Sequence, residues 1–239
     1  MFKLFTTLFL LSASTWTCVH STESFQQVRA TSSNENQRTL LRERNRTALL
    51  NFLIKTYGYK NYLEIGVCDG YNYDQIVAPY KVGVDPSPLS PANRLMTSDA
   101  FFAQNQEKFD LIFIDGLHLC EQVIRDIENS LQCLNPGGRI VMHDCMPNVM
   151  EEQVRTPPVI GAWTGDVWKA AAYARMHYNP IHFCVIDMDF GCGVITPGIT
   201  QTLAPEVPFE NLDWNFYINN RKKLLNIVSL ESWIRNPTP

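Results

Sequence analysis

The chain has 239 residues, of which 45% are hydrophobic and 18% charged; this composition suits a packed globular protein and excludes a disordered or collagen-like one. At ~150 residues per domain the length allows one or two domains, and a single core is the default for an alternating α/β pattern. Twenty Lys and Arg against 24 Asp and Glu leave a formal net charge of −4, and without a long basic run nucleic acid is not an expected partner.

The one strongly apolar run, residues 4–11, follows Lys3 and precedes Ser12, Ala13 and Ser14. It is shorter than the ~20 residues that span a bilayer, so no transmembrane segment remains once it is removed. A positive start, a short apolar core and the small residues Val19 and Ser21 before a cut after Ser21 form the pattern of a secretory signal peptide over 1–21. That pattern predicts entry into the secretory pathway or export; a cytoplasmic protein is the alternative.

Residues 22–36, rich in Ser, Thr, Gln, Asn and Glu, read as a linker. Leu40, Leu41, Leu49, Leu50 and Leu53 then fall on helical spacing as far as Tyr57, where Gly58 stops the helix. This N-terminal helix opens a domain over 37–200, and the glycosylation sequon Asn45-Arg46-Thr47 falls inside it.

From Asn61 short apolar strands alternate with helices. Tyr62-Leu63-Glu64-Ile65-Gly66 is a strand ending in glycine, Val82 to Asp85 a second, Asp110 to Asp115 another, and Arg139 to Asp144 follows Pro136-Gly137-Gly138. A weaker strand is expected near Leu95 to Thr97. Between the last two strong strands Cys120, Val123, Ile124, Ile127, Leu131 and Leu134 make one helical stripe, with Glu121, Arg125, Asp126 and Glu128 off it. This order predicts βαβ units and a parallel sheet.

After Asp144 some twenty residues with Pro147, Pro157 and Pro158 read as a lid or binding loop. A helix over Asp166–Met176 follows, with Asp166 as its cap. Ile181–Ile186 and Gly191–Thr196 then read as an antiparallel hairpin. The C-terminal extension 201–239, with Trp214, Phe216, Tyr217 and Trp233 as anchors, is expected to pack on the domain. The seven cysteines contain no CxxC pair and read mostly as small buried thiols. Cys184 and Cys192 are placed to face each other across the hairpin.

In open parallel sheets ligands bind beyond the carboxyl ends of the strands, near the point where strand order reverses. There the first strand offers Glu64-Ile65-Gly66-Val67-Cys68-Asp69-Gly70, a turn whose glycines admit close backbone approach. Asp85 ends the second strand, where a carboxylate accepts both hydroxyls of a ribose. On these residues the chain resembles the class I S-adenosylmethionine-dependent methyltransferases. More narrowly it is similar to a small group (methyltransferase domain family 24-like) with Asp-Gly-x-His, here Asp115-Gly116-Leu117-His118, and Pro-Gly-Gly before a strand ending in His143-Asp144. Further matching segments are Ser98 to Phe102 and Gly165 to Ala170.

The resemblance implies an α/β, Rossmann-like, doubly wound seven-stranded sheet, mostly parallel with an antiparallel terminal hairpin strand and helices on both faces. It implies S-adenosyl-L-methionine as cofactor, with Glu64, Gly66 and Gly70 around its amino-acid end, Asp85 on its ribose, Ser98 and Asp99 near its adenine and Asp115 beside it. The implied reaction is methyl transfer to a small-molecule acceptor, foremost a hydroxyl oxygen, with His118, His143 and Asp144 as catalytic residues. Asp115 and Asp144 match positions that hold a divalent cation such as Mg in related enzymes, although Cys145 stands where catechol-type relatives have Asn. Trp163, Trp168 and Lys169 are candidates for the acceptor pocket, and Cys68 for contact with the cofactor. A non-catalytic S-adenosylmethionine-binding protein and a carbohydrate-modifying enzyme on the same scaffold are the alternative readings, and homo-oligomerisation is left open.

Overall fold

The computed structural model describes residues 34–198, 203 and 207–237. The leader with Cys18, and the linker up to residue 33, lie outside the described residues.

The expected single N-terminal helix is two. Helix α1 covers 34–43, so the last three residues assigned to the linker are its first turn. The chain then turns through Arg44, in the left-handed region at φ 48°, and α2 runs over Arg46–Tyr57. Asn45 is the N-cap: its side chain accepts the N–H of Ala48 at 2.9 Å, which supplies one of the orphan donors of a helix start. The sequon therefore straddles a helix boundary. Gly58, at φ 69°, is the left-handed C-cap, as its lack of a Cβ allows.

The remaining elements are β1 (Asn61–Ile65), α3 (Tyr71–Gln75), β2 (Tyr80–Asp85), β3 (Arg94–Leu95), α4 (Ser98–Gln104), β4 (Phe109–Ile114), α5 (Cys120–Cys133), β5 (Leu134–Met142), α6 (Val167–His177), β6 (Ile181–Ile186), β7 (Cys192–Pro197), α7 (Trp214–Leu224), β8 (Ile227–Val228) and α8 (Leu230–Arg235). The sheet has eight strands in the order β3-β2-β1-β4-β5-β7-β6-β8. β1 to β5 are mutually parallel, and β7 is antiparallel to both β5 and β6. The eighth strand is the departure from expectation: Ile227 and Val228, with no strand pattern of their own, pair with Val185 and Ile186 at the sheet edge. Such a short strand comes from tertiary context, not from propensity.

Side chains alternate across the sheet, so both faces are buried. Leu63, Ile112, Ile140 and Met142 pack with residues of α5 and α6 in one core; Tyr62, Leu111, Phe113 and Val141 pack with those of α2 and α8 in the other. Burying a Leu or Phe contributes roughly 1.5–3 kcal/mol. Two details of the helices differ from the sequence pattern. Asp126, off the apolar stripe of α5, is nevertheless 1% exposed. Asp166 makes no cap hydrogen bond to its own helix α6; its Oδ1 accepts the N–H of Cys120 at 2.7 Å, so it serves the start of α5 instead. The six described cysteines are free. Cys184 and Cys192 are not opposite each other, because the hairpin register pairs Cys184 with Val194 and Ile186 with Cys192.

The chain passes from β1 outward through β2 and β3, then returns to place β4 on the other side of β1. Strand order thus reverses between β1 and β4, where a doubly wound sheet opens a crevice at its carboxyl edge. A cavity of about 1150 Å³ lies there, lined by residues that follow β1, β2, β4 and β5.

Candidate active site

Glu64, the penultimate residue of β1, lies on the cavity wall and is 1% exposed. Its Oε2 accepts from the Tyr62 hydroxyl at 2.5 Å and from Asn72 Nδ2 at 2.9 Å, while Thr47 on α2 donates to Asn72 Oδ1 at 2.7 Å. Burial disfavours the charged form and pushes the carboxyl up to about 8, with the two hydrogen bonds acting against the shift. In the turn that follows, Gly66 has φ 90° and Cys68 φ 53°. A Cβ on Gly66 would lie 2.1 Å from the carbonyl oxygen of Asp115. The close approach that requires glycine there is between the backbones beyond β1 and β4.

Asp85 ends β2 and is 8% exposed. Its two carboxylate oxygens accept the N–H groups of Cys68 and Ser87, each at 2.8 Å. Each oxygen keeps a further acceptor site, and the residue lines the cavity. Ser98 and Asp99 open α4, capped by the Thr97 hydroxyl accepting from Ala100 at 3.2 Å. Gln122 Nε2 lies 3.1 Å from Ser98 Oγ, Asp99 Oδ1 and Asp126 Oδ1 alike. Burial raises the Asp126 carboxyl to about 6.

Beyond β4 and β5 an interlocked cluster forms. Asp115 Oδ1 lies 3.4 Å from His143 Nδ1 and 3.6 Å from His118 Nε2, and its Oδ2 lies 3.5 Å from Arg46 Nε. Asp144, held at φ 59°, lies 3.3 Å from His118 Nδ1 and 3.2 Å from His143 Nδ1. Asp189, in the β6–β7 turn at φ 46°, lies 3.5 Å from His143 Nε2 and accepts the backbone N–H of Arg46 at 2.8 Å. Left-handed backbone at non-glycine residues is costly and concentrates where a site fixes it.

The cluster's electrostatics balance internally. Burial opposes the charge on Asp115, yet the charge of His143, hydrogen bonds from His118 and His143, and Arg46 hold its carboxyl below the usual range. Burial likewise opposes a charged His143, but Asp115, Asp144 and Asp189 raise it well above the ordinary imidazole value. Arg46 Nη1 and Asp189 Oδ1 both face His143 Nε2, at 3.3 and 3.5 Å, so that nitrogen accepts from Arg46 when unprotonated and donates to Asp189 when protonated. His118 is raised too: burial lowers it, and Asp115 and Asp144 outweigh that.

The Trp163 ring stacks on His118 with centroids 4.7 Å apart. The Trp163 carbonyl lies 3.1 Å from His118 Nδ1, and its indole N–H donates to the Val154 carbonyl at 2.6 Å. The long loop after β5 therefore fixes His118 from above.

Of the residues singled out from sequence, Glu64, Gly66, Asp85, Ser98, Asp99, Asp115, His118, His143 and Asp144 all line this one cavity, as do Cys68 and Trp163. Gly70 does not line it; at φ 86° it begins α3, and a Cβ there would meet Pro91 at 2.5 Å. Trp168 is not an acceptor-pocket residue either, being fully buried against Tyr217. Sequence reasoning missed Arg46 and Asp189. A signal for both was present: Asn45 is a good cap residue within a supposed helix, and Asp189 stands in a tight hairpin turn.

Comparison with known proteins agrees with this architecture. The family model described as "Methyltransferase domain" matches residues 6–145, and the chain belongs to that family. Among solved structures, the S-adenosylhomocysteine-bound methyltransferase PaMTH1 of Podospora anserina superposes with a TM-score of 0.50 at 15% identity, over 80% of this chain and 100% of that one. A Staphylococcus aureus protein assigned as a caffeoyl-CoA O-methyltransferase also gives a TM-score of 0.50, at 16% identity over 64% of this chain and 82% of its own. At these identities the likeness is one of fold. No curated protein matches the chain in sequence.

Proposed function

We propose that the chain transfers a methyl group from S-adenosyl-L-methionine to the hydroxyl oxygen of a small molecule, with base assistance. The observation that carries this reading is the convergence on one cavity of two sets of side chains: Asp85 and Glu64 on the β1–β2 side, and His118 with Asp144 beyond β4 and β5. The residues present fit the cofactor. Asp85 retains acceptor capacity for a ribose diol, and Glu64 is a buried carboxyl whose ionisation a nearby cationic group would favour. Ser98 and Gln122 offer polar groups at the edge of α4. The S-adenosylhomocysteine in PaMTH1 belongs to a protein of the same fold.

When bound, the cofactor supplies a methyl group already activated on a sulfonium. The chain then has to align an acceptor, exclude water and remove one proton. His118 Nδ1 faces Asp144 and the Trp163 carbonyl, while Nε2 faces Asp115 at 3.6 Å; in the neutral ring Nε2 is the atom that takes the hydroxyl proton, and the imidazolium so formed then pairs with Asp115. Asp144 holds the ring and stabilises the imidazolium that forms. His143, 5% exposed, orients the carboxylates.

A resident divalent ion does not fit the same cluster. Asp115, His118 and Asp144 bring one ligand atom each within 4.8 Å of one another. A hard cation completes its shell with water, but these carboxylates already face the cationic or hydrogen-bonding groups of Arg46, His118 and His143, which such an ion would have to displace. Cys145 offers only a buried thiol.

The test is calorimetric titration with S-adenosylmethionine and S-adenosylhomocysteine, with Asp85→Ala as control, followed by a screen of hydroxylated acceptors. Saturable binding lost in the variant supports the reading. A folded protein that binds neither compound overturns it.

A further inference from the structure

The least expected member of the cluster comes from outside the sheet. Arg46 is the first residue of α2, at the helix end where the dipole is positive and a cation is by itself unfavourable. It is tolerated there because Asp189 accepts both its backbone N–H, at 2.8 Å, and a hydrogen bond from Nη1 at 3.4 Å. The side chain then crosses to Asp115, with Nε 3.5 Å from Oδ2. Nε is buried without a hydrogen-bond partner, so Arg46 serves here as a charge more than as a donor. Asp115 and Asp144 are 15% and 8% exposed, and carboxylates so far out of water require a counter-charge close by.

We propose that the Arg46 guanidinium is the resident cation of this site, occupying in charge the role of a divalent metal ion beside Asp115 and Asp144 and excluding one from it. Arginine stays protonated across the accessible pH range, so this counter-charge is permanent, and the bond from Asp189 fixes its place. An ion seated between Asp115, His118 and Asp144 would lie close to a guanidinium that cannot lose its charge. Repulsion between like charges in a poorly solvated pocket is large. Removing the guanidinium takes one positive charge from Asp115 and Asp189, which keep only His118 and His143 beside them, and opens its space. The N-terminal helix thereby supplies the positive charge that positions the acceptor's carboxylate neighbours, and methyl transfer proceeds independently of metal. The inference rests on the methyl-transfer reading only for that last clause.

The experiment uses Mn²⁺ as the probe, followed by electron paramagnetic resonance of the full chain, with folding of each variant checked by thermal melting. Wild type is expected to take up no Mn²⁺ saturably. Folded Arg46→Gln or Arg46→Met gains one site, with affinity at least roughly tenfold above wild type, and adding Asp144→Asn removes it. Arg46→Lys, which keeps a charge, stays without the site. Saturable uptake by wild type that Asp144→Asn abolishes overturns the proposal, as do folded Arg46→Gln and Arg46→Met proteins that gain nothing. S-adenosylmethionine titrations on the same samples separate the two readings. Failure to bind the cofactor counts against methyl transfer and leaves the Mn²⁺ result standing.

Discussion

Asp166 lies one residue before α6, yet its carboxylate receives the N–H of Cys120, the first residue of α5, at 2.7 Å. The same carboxylate pairs with Arg155 Nη1 at 2.6 Å. One side chain thus ties the long loop after β5 to the helix that begins two residues beyond His118. Asp166→Ala strands a buried backbone donor, and a lost helix cap costs about 1 kcal/mol, up to ~2. Urea denaturation should show a loss of that size with an unchanged slope, and Asp166→Asn should recover part of it.

Glu64 makes stability depend on pH. Its folded-state carboxyl is raised to about 8 from an ordinary 4.5, first by burial, so the folded form favours the protonated acid. Its contribution is fully present below about 4.5 and is lost as pH rises towards 8. Melting temperatures of wild type and Glu64→Gln should therefore converge at low pH. They should separate in favour of the variant as pH rises through that window. Curves that run parallel from pH 4 to 9 would contradict the assignment.

On the proposed mechanism, Asp144→Ala and His118→Gln should impair transfer and spare cofactor capture. Loss of a positioned base costs on the order of 10²–10⁴ in rate. With S-adenosylmethionine affinity held within a few-fold, both variants should fall by that range in single-turnover transfer once an acceptor is in hand. An Asp144→Ala enzyme at full rate would remove Asp144 from the mechanism.

Gly66→Ala tests the packing beneath the site. The new methyl at φ 90° would meet the Asp115 carbonyl oxygen at 2.1 Å, and backbone strain alone costs ~1–3 kcal/mol. A lower melting temperature and a reduced soluble yield are expected. Gly137→Ala provides the contrast: its φ is also positive, at 78°, but nothing lies within 4 Å of the added carbon.

The parallel sheet and most of its cavity residues were legible because both follow from local pattern. Short apolar strands ending in Glu64, Asp85, Asp115 and His143-Asp144 declare their own carboxyl edge, and topology brings those edges together. β8 was not legible, since two residues pairing at a sheet edge carry no period. The burial of Asp126, which lies off the apolar stripe of α5, was not legible; Gln122 supplies its hydrogen bond at 3.1 Å, and no pattern announces that partner. Arg46 and Asp189 meet across 143 positions of sequence. Each sits at a break in regular structure, where hydrophobic periodicity is silent. Of the two glycines, Gly66 lines the cavity and meets the Asp115 backbone, whereas Gly70 begins α3 away from it.

The Thr47 hydroxyl, through Asn72, reaches Glu64 at one end of the cavity, while its neighbour Arg46 reaches Asp115 at the other. Two consecutive residues of one helix therefore span both halves of the pocket. Any hinge or slide of α2 against the sheet would be felt by both halves at once. A chain begun after Tyr57 could keep every strand and every strand-end carboxylate and still lack a working pocket. Competence in this molecule is thus assembled at the docking of its N-terminal helix, and the segment preceding the sheet has the standing of a subunit that happens to be covalently attached.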